Sequence, residues 1–166
     1  GDDADLMKSL RRHKAEAALL IALCDIGGVW PVERVTRALT DFADASLGAS
    51  VRYLLRGAAE QGKFNLADPD DPEKGSGYIV LAMGKMGAFE LNYSSDIDLI
   101  VLYDADAPAL AEGVEPGGLF ARMTRGLVKL LQERTPDGYV FRVDLRLRPD
   151  PASTPVAIST ISALTY

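Results

Sequence analysis

Two carboxylates, Asp96 and Asp98, stand two residues apart where the apolar run 99–103 begins, and this constrains the fold more than any other feature of the chain. The run reads as a strand. Side chains at i and i+2 of a strand share a face, so Asp96 and Asp98 stand together while Ile97, Leu99 and Val101 turn to the other side. Two carboxylates held side by side repel each other unless a cation lies between them. All-oxygen ligation with positions left for phosphate suits Mg²⁺ or Mn²⁺. The expectation is metal-dependent phosphoryl chemistry.

Other chemistries are narrowed by what the chain contains. With one histidine and one cysteine in 166 residues, zinc sites built from those ligands and Ser-His-Asp or Cys-His catalysis are nearly excluded. Cys24, inside an apolar run, is expected to be a buried structural thiol, and His13, among Arg11, Arg12 and Lys14, to lie on a solvated helix face. A net charge of -6 argues against a large nucleic-acid footprint and favours protein or nucleotide partners. Hydrophobic content of 48% is ample for a core. The longest apolar stretches, 15–24 and 78–83, are shorter than the roughly 20 residues that span a bilayer. With no signal-peptide pattern, a soluble, cytoplasmic protein is the default expectation.

Residues 5–25 read as a helix capped by Asp5, with Leu6, Leu10, Ala17, Leu20 and Ile21 at helical spacing and Gly27-Gly28 as its stop. Pro31 opens a second helical region. Val32, Val35, Leu39 and Phe42 form one apolar stripe and Val51, Leu54, Leu55 and Ala58 another, with Gly48 as a break between two helices. Residues 1–66 are thus expected to form a helical subdomain, and the acidic, Pro- and Gly-rich segment 67–77 a linker loop. The unit 78–166 holds the chemistry: a buried strand 78–83, a turn 84–87, a helical turn over 88–92 and the strand 96–103. A helix over 119–133 follows, packing through Leu119, Met123, Leu127, Leu130 and Leu131. After a turn at 135–138 comes a strand over 139–147, and Ser159 caps a last helix.

Alternation in 139–147 puts Arg142, Asp144, Arg146 and Arg148 on one face. If that face turns the same way as Asp96 and Asp98, Asp144 completes a three-carboxylate site for two metals about 3.5–4 Å apart, with the arginines as bidentate phosphate clamps. The plainer alternative is an ion-pair network that needs no metal. Gly84 and Gly87 let the backbone approach a phosphate closely, with Lys85 in reach; a glycine turn alone is structural more often than not, and its place nine residues before Asp96 is what raises the signal. Ser94 and Ser95 either bond phosphate or cap the turn.

These segments, Gly84-Lys85-Met86-Gly87, then 90–99 (Glu-Leu-Asn-Tyr-Ser-Ser-Asp-Ile-Asp-Leu) and Arg142-Val143-Asp144-Leu145-Arg146-Leu147-Arg148-Pro149, resemble the bifunctional glutamine synthetase adenylyltransferase/adenylyl-removing family. Behind it stand the nucleotidyltransferases similar to DNA polymerase β. The resemblance implies an α/β (α+β) fold, a small mixed sheet backed by helices. It implies Asp96, Asp98 and Asp144 as catalytic metal ligands, and Gly84, Lys85, Gly87, Ser94, Ser95, Arg146 and Arg148 around phosphate or nucleotide. The family's enzymes have two such halves. One transfers AMP from ATP to a tyrosine of glutamine synthetase, and the other removes it by phosphorolysis, giving ADP. Asn92 and Arg142 resemble the adenylyl-removing half. The forward half and a non-catalytic module docking glutamine synthetase or the PII signal protein are the alternatives. Met86 stands where leucine is common and Ala88 where a second glycine is common; neither change removes a ligand. The family's enzymes are several times longer, so the chain is expected to be a fragment.

Overall fold

The computed structural model describes residues 2–165. Helix α1 (Asp3–Ile26) starts earlier than predicted because Asp2, not Asp5, is the cap: its carboxylate accepts from the Asp5 N–H at 2.9 Å. It ends at Gly27 and Gly28, the latter at φ +65°. Helix α2 (Val32–Glu60) is continuous, and the predicted break at Gly48 does not occur. Leu47, Ser50 and Val51 beside it are buried, and such packing outweighs the roughly 1 kcal/mol by which glycine disfavours a helix.

After the loop come β1 (Tyr78–Met83), the single turn α3 (Gly84–Gly87), β2 (Ile97–Tyr103), α4 (Pro116–Gln132), β3 (Val143–Asp144), β4 (Ile158–Ser159) and α5 (Thr160–Ala163). Strand β2 is the hub: β1 pairs with it antiparallel, and β3 and β4 pair with it parallel. Helices with a small mixed four-stranded sheet make the expected α/β architecture. Ile97, Leu99 and Val101 are at most 2% exposed and pack in one hydrophobic cluster with Leu47, Val51 and Leu55 of α2 and Leu119, Phe120, Leu127 and Leu131 of α4. Alternation on β2 therefore works as predicted, with Asp98 on the opposite side. The cluster runs across both sides of the 67–77 loop. Ser159 caps α5 as expected, accepting from the Ser162 N–H at 3.1 Å.

Several expectations need correction. The helical turn lies at 84–87 and not at 88–92, because the N–H groups of Ala88, Phe89 and Glu90 close back onto Gly84, Met86 and Lys85. Strand β1 is covered on one face only, so Ile79 and Leu81 stay exposed while Tyr78 and Val80 turn to the core, where a strand buried on both faces was predicted. The predicted strand 139–147 shrinks to two residues. Val140 and Phe141 bond the Leu131 carbonyl instead of a ladder, and the Asp144 carboxylate takes the Arg146 N–H at 2.8 Å, turning the chain away.

On α1 the expected solvated basic face is half wrong. Arg11 is 2% exposed and donates to the carbonyls of Met7, Leu130, Glu133 and Gly138, neutralising the C-terminal end of α4. Lys14 lies over the rings of Tyr139 and Phe141, its ammonium pulled down from the ordinary lysine range by burial. His13 is exposed, as expected. Leu20, assigned to the packing stripe, is exposed, and Cys24 is half-buried where a buried thiol was expected. No helix among the described residues is long and apolar enough to cross a membrane.

Candidate active site

The site is built where three elements meet at the start of β2. In the antiparallel β1/β2 register Asp98 lies opposite Met83, and in the parallel β2/β3 register it lies opposite Asp144. Two carboxylates thus stand side by side on one rung of adjacent strands, and Asp96 precedes the strand on the approach to it.

Gly84 joins the glycine turn to Asp98. Its φ is +52°, which side chains rarely adopt, and a Cβ there would sit 2.5 Å from Asp98 Oδ2. Gly87 is also excluded from substitution, since its Cβ would meet the Ala82 carbonyl oxygen at 2.5 Å. Both glycines are therefore required by close approach, and the approach at Gly84 is to the carboxylate itself. Lys85 lies on this turn and is exposed.

Asn92 organises the loop that delivers Asp96. Its side-chain oxygen accepts from the Ser94 N–H at 3.1 Å and the Ser95 hydroxyl at 2.9 Å, while its own N–H donates to Ser95 Oγ at 3.1 Å. The Ser95 hydroxyl is thus engaged within the loop. Arg142 clasps the same loop, donating to the Asp96 carboxylate and, at 3.1 Å, to the Ser94 carbonyl.

Asp144 is held by Arg146 through both carboxylate oxygens: Nε donates to Oδ1 at 3.0 Å and NH2 to Oδ2 at 2.5 Å. The guanidinium and the Arg146 backbone N–H keep the Asp144 carboxyl below the usual carboxylate range. The side chain of Asp144 is 17% exposed and that of Arg146 is 83% exposed, so the arginine is the more solvated partner. Arg148 is turned to structure, donating to the backbone carbonyls of Leu145, Pro151 and Thr154.

A family model described as Glutamate-ammonia ligase adenylyltransferase matches residues 1–166. The chain belongs to this family. Among its relatives, three proteins called bifunctional glutamine synthetase adenylyltransferase/adenylyl-removing enzyme illustrate the likeness. That of Rhodopseudomonas palustris is 67% identical over 162 residues, covering 98% of this chain and 16% of the relative. That of Bradyrhizobium diazoefficiens is 65% identical over 165 residues, covering 99% and 17%. That of Xanthobacter autotrophicus is 57% identical over 166 residues, covering 100% and 17%. The chain spans about a sixth of the length of these relatives.

For this adenylyltransferase-family chain, the structure brings Gly84, Asp98 and Asp144 into one neighbourhood and places Asp96 beside it, paired with Arg142. It does not gather the carboxylates into a finished cage: among the described residues no three His, Cys, Asp or Glu side chains are grouped to hold a metal ion. The all-oxygen donor set still has the right chemistry for Mg²⁺ or Mn²⁺. Two of the three carboxylates are engaged by arginines from the β3 segment. The part Asn92 plays in organising the loop is missed by sequence reasoning. A signal is nevertheless present in the Asn-x-Ser-Ser order, since asparagine side chains bond backbone two residues on.

Proposed function

We propose that this chain carries out adenylyl removal: inorganic phosphate attacks the AMP phosphorus of an adenylylated tyrosine on glutamine synthetase. The bond from phosphorus to the tyrosine oxygen breaks, a new phosphorus–oxygen bond forms to the attacking phosphate, and the nucleotide leaves as ADP while the tyrosine regains its proton. The observation that carries this reading is the contact of Gly84 with Asp98, which sets a glycine turn directly against a carboxylate that neighbours Asp144 across the sheet.

Asp96, Asp98 and Asp144 would hold Mg²⁺, or Mn²⁺, which supplies charge neutralisation on the phosphoryl oxygens. The present pairing with arginines does not oppose this. The Arg142–Asp96 pair is exposed on both sides and contributes little, so Arg142 would give up its carboxylate at small cost, whereas Asp144, 17% exposed and gripped bidentately by Arg146, would exchange that partner only for a cation and phosphate that replace its charge. Once released, the Arg146 fork is placed to grip a phosphate bidentately, with Lys85 adding charge from the glycine turn. Phosphate is already anionic at neutral pH, so positioning does most of the work and no strong base is required.

The adenylyl-removing half is chosen over the forward transferase because Asn92 and Arg142, which also tie down the Asp96 loop, resemble that half of the family's enzymes. Glutamine synthetase is the protein substrate in this reading, a PII-type signal protein acts through the longer enzyme, and the cytoplasm is the site of action. The test is incubation with adenylylated glutamine synthetase, Mg²⁺ and inorganic phosphate, beside an Asp96→Asn variant. Release of ADP that the variant abolishes is expected. Release of AMP, or ATP-dependent labelling of unmodified glutamine synthetase, overturns the assignment.

A further inference from the structure

The end of α4 takes the place that a neighbouring strand would hold beside β3. Strand β3 is two residues long, and the sheet order β1-β2-β3 leaves no strand on its outer side among the described residues. On the inner side the parallel register sets Val143 opposite Ile97, and Ile97 donates its N–H to the Arg142 carbonyl at 2.9 Å. In a parallel ladder the peptide groups flanking Val143 face β2, so the Val143 N–H itself points outward. A side chain meets it there. Gln132, the last residue of α4, accepts the Val143 N–H on Oε1 at 2.8 Å. Next to it the Leu131 carbonyl takes the N–H groups of Val140 at 2.8 Å and Phe141 at 3.1 Å. This platform is itself braced: Arg11, 2% exposed, donates to the carbonyls of Leu130 and Glu133, on either side of Leu131 and Gln132.

We propose that Gln132 is a positioning residue for Asp144. Its side-chain amide stands in for the missing strand, and by fixing the Val143 peptide it fixes the direction in which the next residue presents its carboxylate beside Asp98. The inference rests on the cation site proposed above and extends it to a residue that acts through the backbone. The grip of Arg146 does not supply this restraint. Arg146 lies two residues from Asp144 on the same segment, so that pair can travel with the segment, whereas Gln132 ties the segment to α4.

Two substitutions separate the hydrogen bond from the rest of the side chain. Gln132→Met keeps the length and the helix propensity but removes the acceptor, and Gln132→Glu keeps an acceptor oxygen. Two quantities are read in the 166-residue chain: the exchange rate of the Val143 amide by NMR, and Mn²⁺ affinity by electron paramagnetic resonance, with Asp144→Asn as the reference. In Gln132→Met the amide should exchange faster and the Mn²⁺ dissociation constant should rise, each by about three- to tenfold, the scale of one hydrogen bond. Gln132→Glu should restore both. Unchanged amide exchange or unchanged Mn²⁺ affinity in Gln132→Met, with Asp144→Asn impaired, overturns the inference and leaves the cation site standing. So does a Gln132→Glu variant that fails to regain affinity, because the side chain then acts by packing alone. Mn²⁺ binding that is absent in the parent, or that Asp144→Asn does not weaken, removes the cation site and this inference with it.

Discussion

Asp98 and Asp144 are neighbours on adjacent strands, yet they are held by different means. Asp98 belongs to a seven-residue strand whose other face is locked in the core, and Gly84 backbone packs against its carboxylate. Asp144 belongs to a strand of two residues and is held by the mostly exposed guanidinium of Arg146. One carboxylate is fixed by backbone and burial, the other by an ion pair. In the proposed site this division would let the fixed Asp98 set the position while Asp144 exchanged Arg146 for a cation and phosphate.

The sharpest way to break the fixed side is Gly84→Ala. The new methyl would lie against Asp98 Oδ2 in a backbone conformation that alanine resists. A loss of turnover of at least about a hundredfold is expected, with a stability loss on the order of 1–3 kcal/mol in urea unfolding. Turnover near the parent level would mean that the turn and Asp98 do not act together. On the exchangeable side, Arg146→Ala should leave the thermal midpoint nearly unchanged and tighten divalent-cation binding, because Asp144 is freed. It should also raise the KM for phosphate about tenfold or more, as expected for loss of a bidentate clamp. A large fall in midpoint with no change in KM would return Arg146 to a structural role.

The far end of the β1/β2 pair serves as a control. Tyr78, opposite Tyr103 and bonded to the Thr124 hydroxyl at 2.9 Å, has its phenol pushed up to about 12 by burial. Because the folded value lies above the unfolded one, near 10, this stabilisation is complete below pH 10 and is lost as pH rises towards 12. Roughly 2–3 kcal/mol should disappear over that window, and Tyr78→Phe should flatten the decline without altering turnover. The smallest effect concerns Phe89, which follows the α3 turn at φ +60° where glycine is usual, with the Arg37 guanidinium 4.2 Å from its ring centroid. Phe89→Gly should stabilise by about 0.5–1 kcal/mol if strain outweighs the lost ring contact. Destabilisation in urea unfolding would show that the cation–π contact outweighs the strain.

The same contrast explains what is legible in the sequence. Alternation through Ile97, Leu99 and Val101 can be read because burial on one face of a long strand leaves a strict period of two, and the helical period of α4 can be read for the same reason. The 139–147 segment has an equally regular pattern but forms only β3. Asp144 and Arg148 bond local backbone there, and local side-chain bonds are silent in hydrophobic periodicity. Arg11 looks solvated in the sequence because nothing near it announces the α4 carbonyls that it caps from 119 and 122 residues away. Leu20 looks like core because a run apolar all round does not say which side its own fold will cover. The site residues are legible as types in a pattern, whereas the pairing of Asp96 with Arg142 depends on how loop and strand meet.

In the proposed mechanism Asp96, Asp98 and Asp144 form a divalent-cation site once the arginines let go. It is tested most directly by titrating the chain with Mn²⁺ under electron paramagnetic resonance, with and without inorganic phosphate, beside Asp98→Asn. Saturable binding that phosphate strengthens and Asp98→Asn abolishes is the predicted result. Equal Mn²⁺ binding by both proteins would rule out the cation site and leave the carboxylates and arginines as a structural ion-pair network.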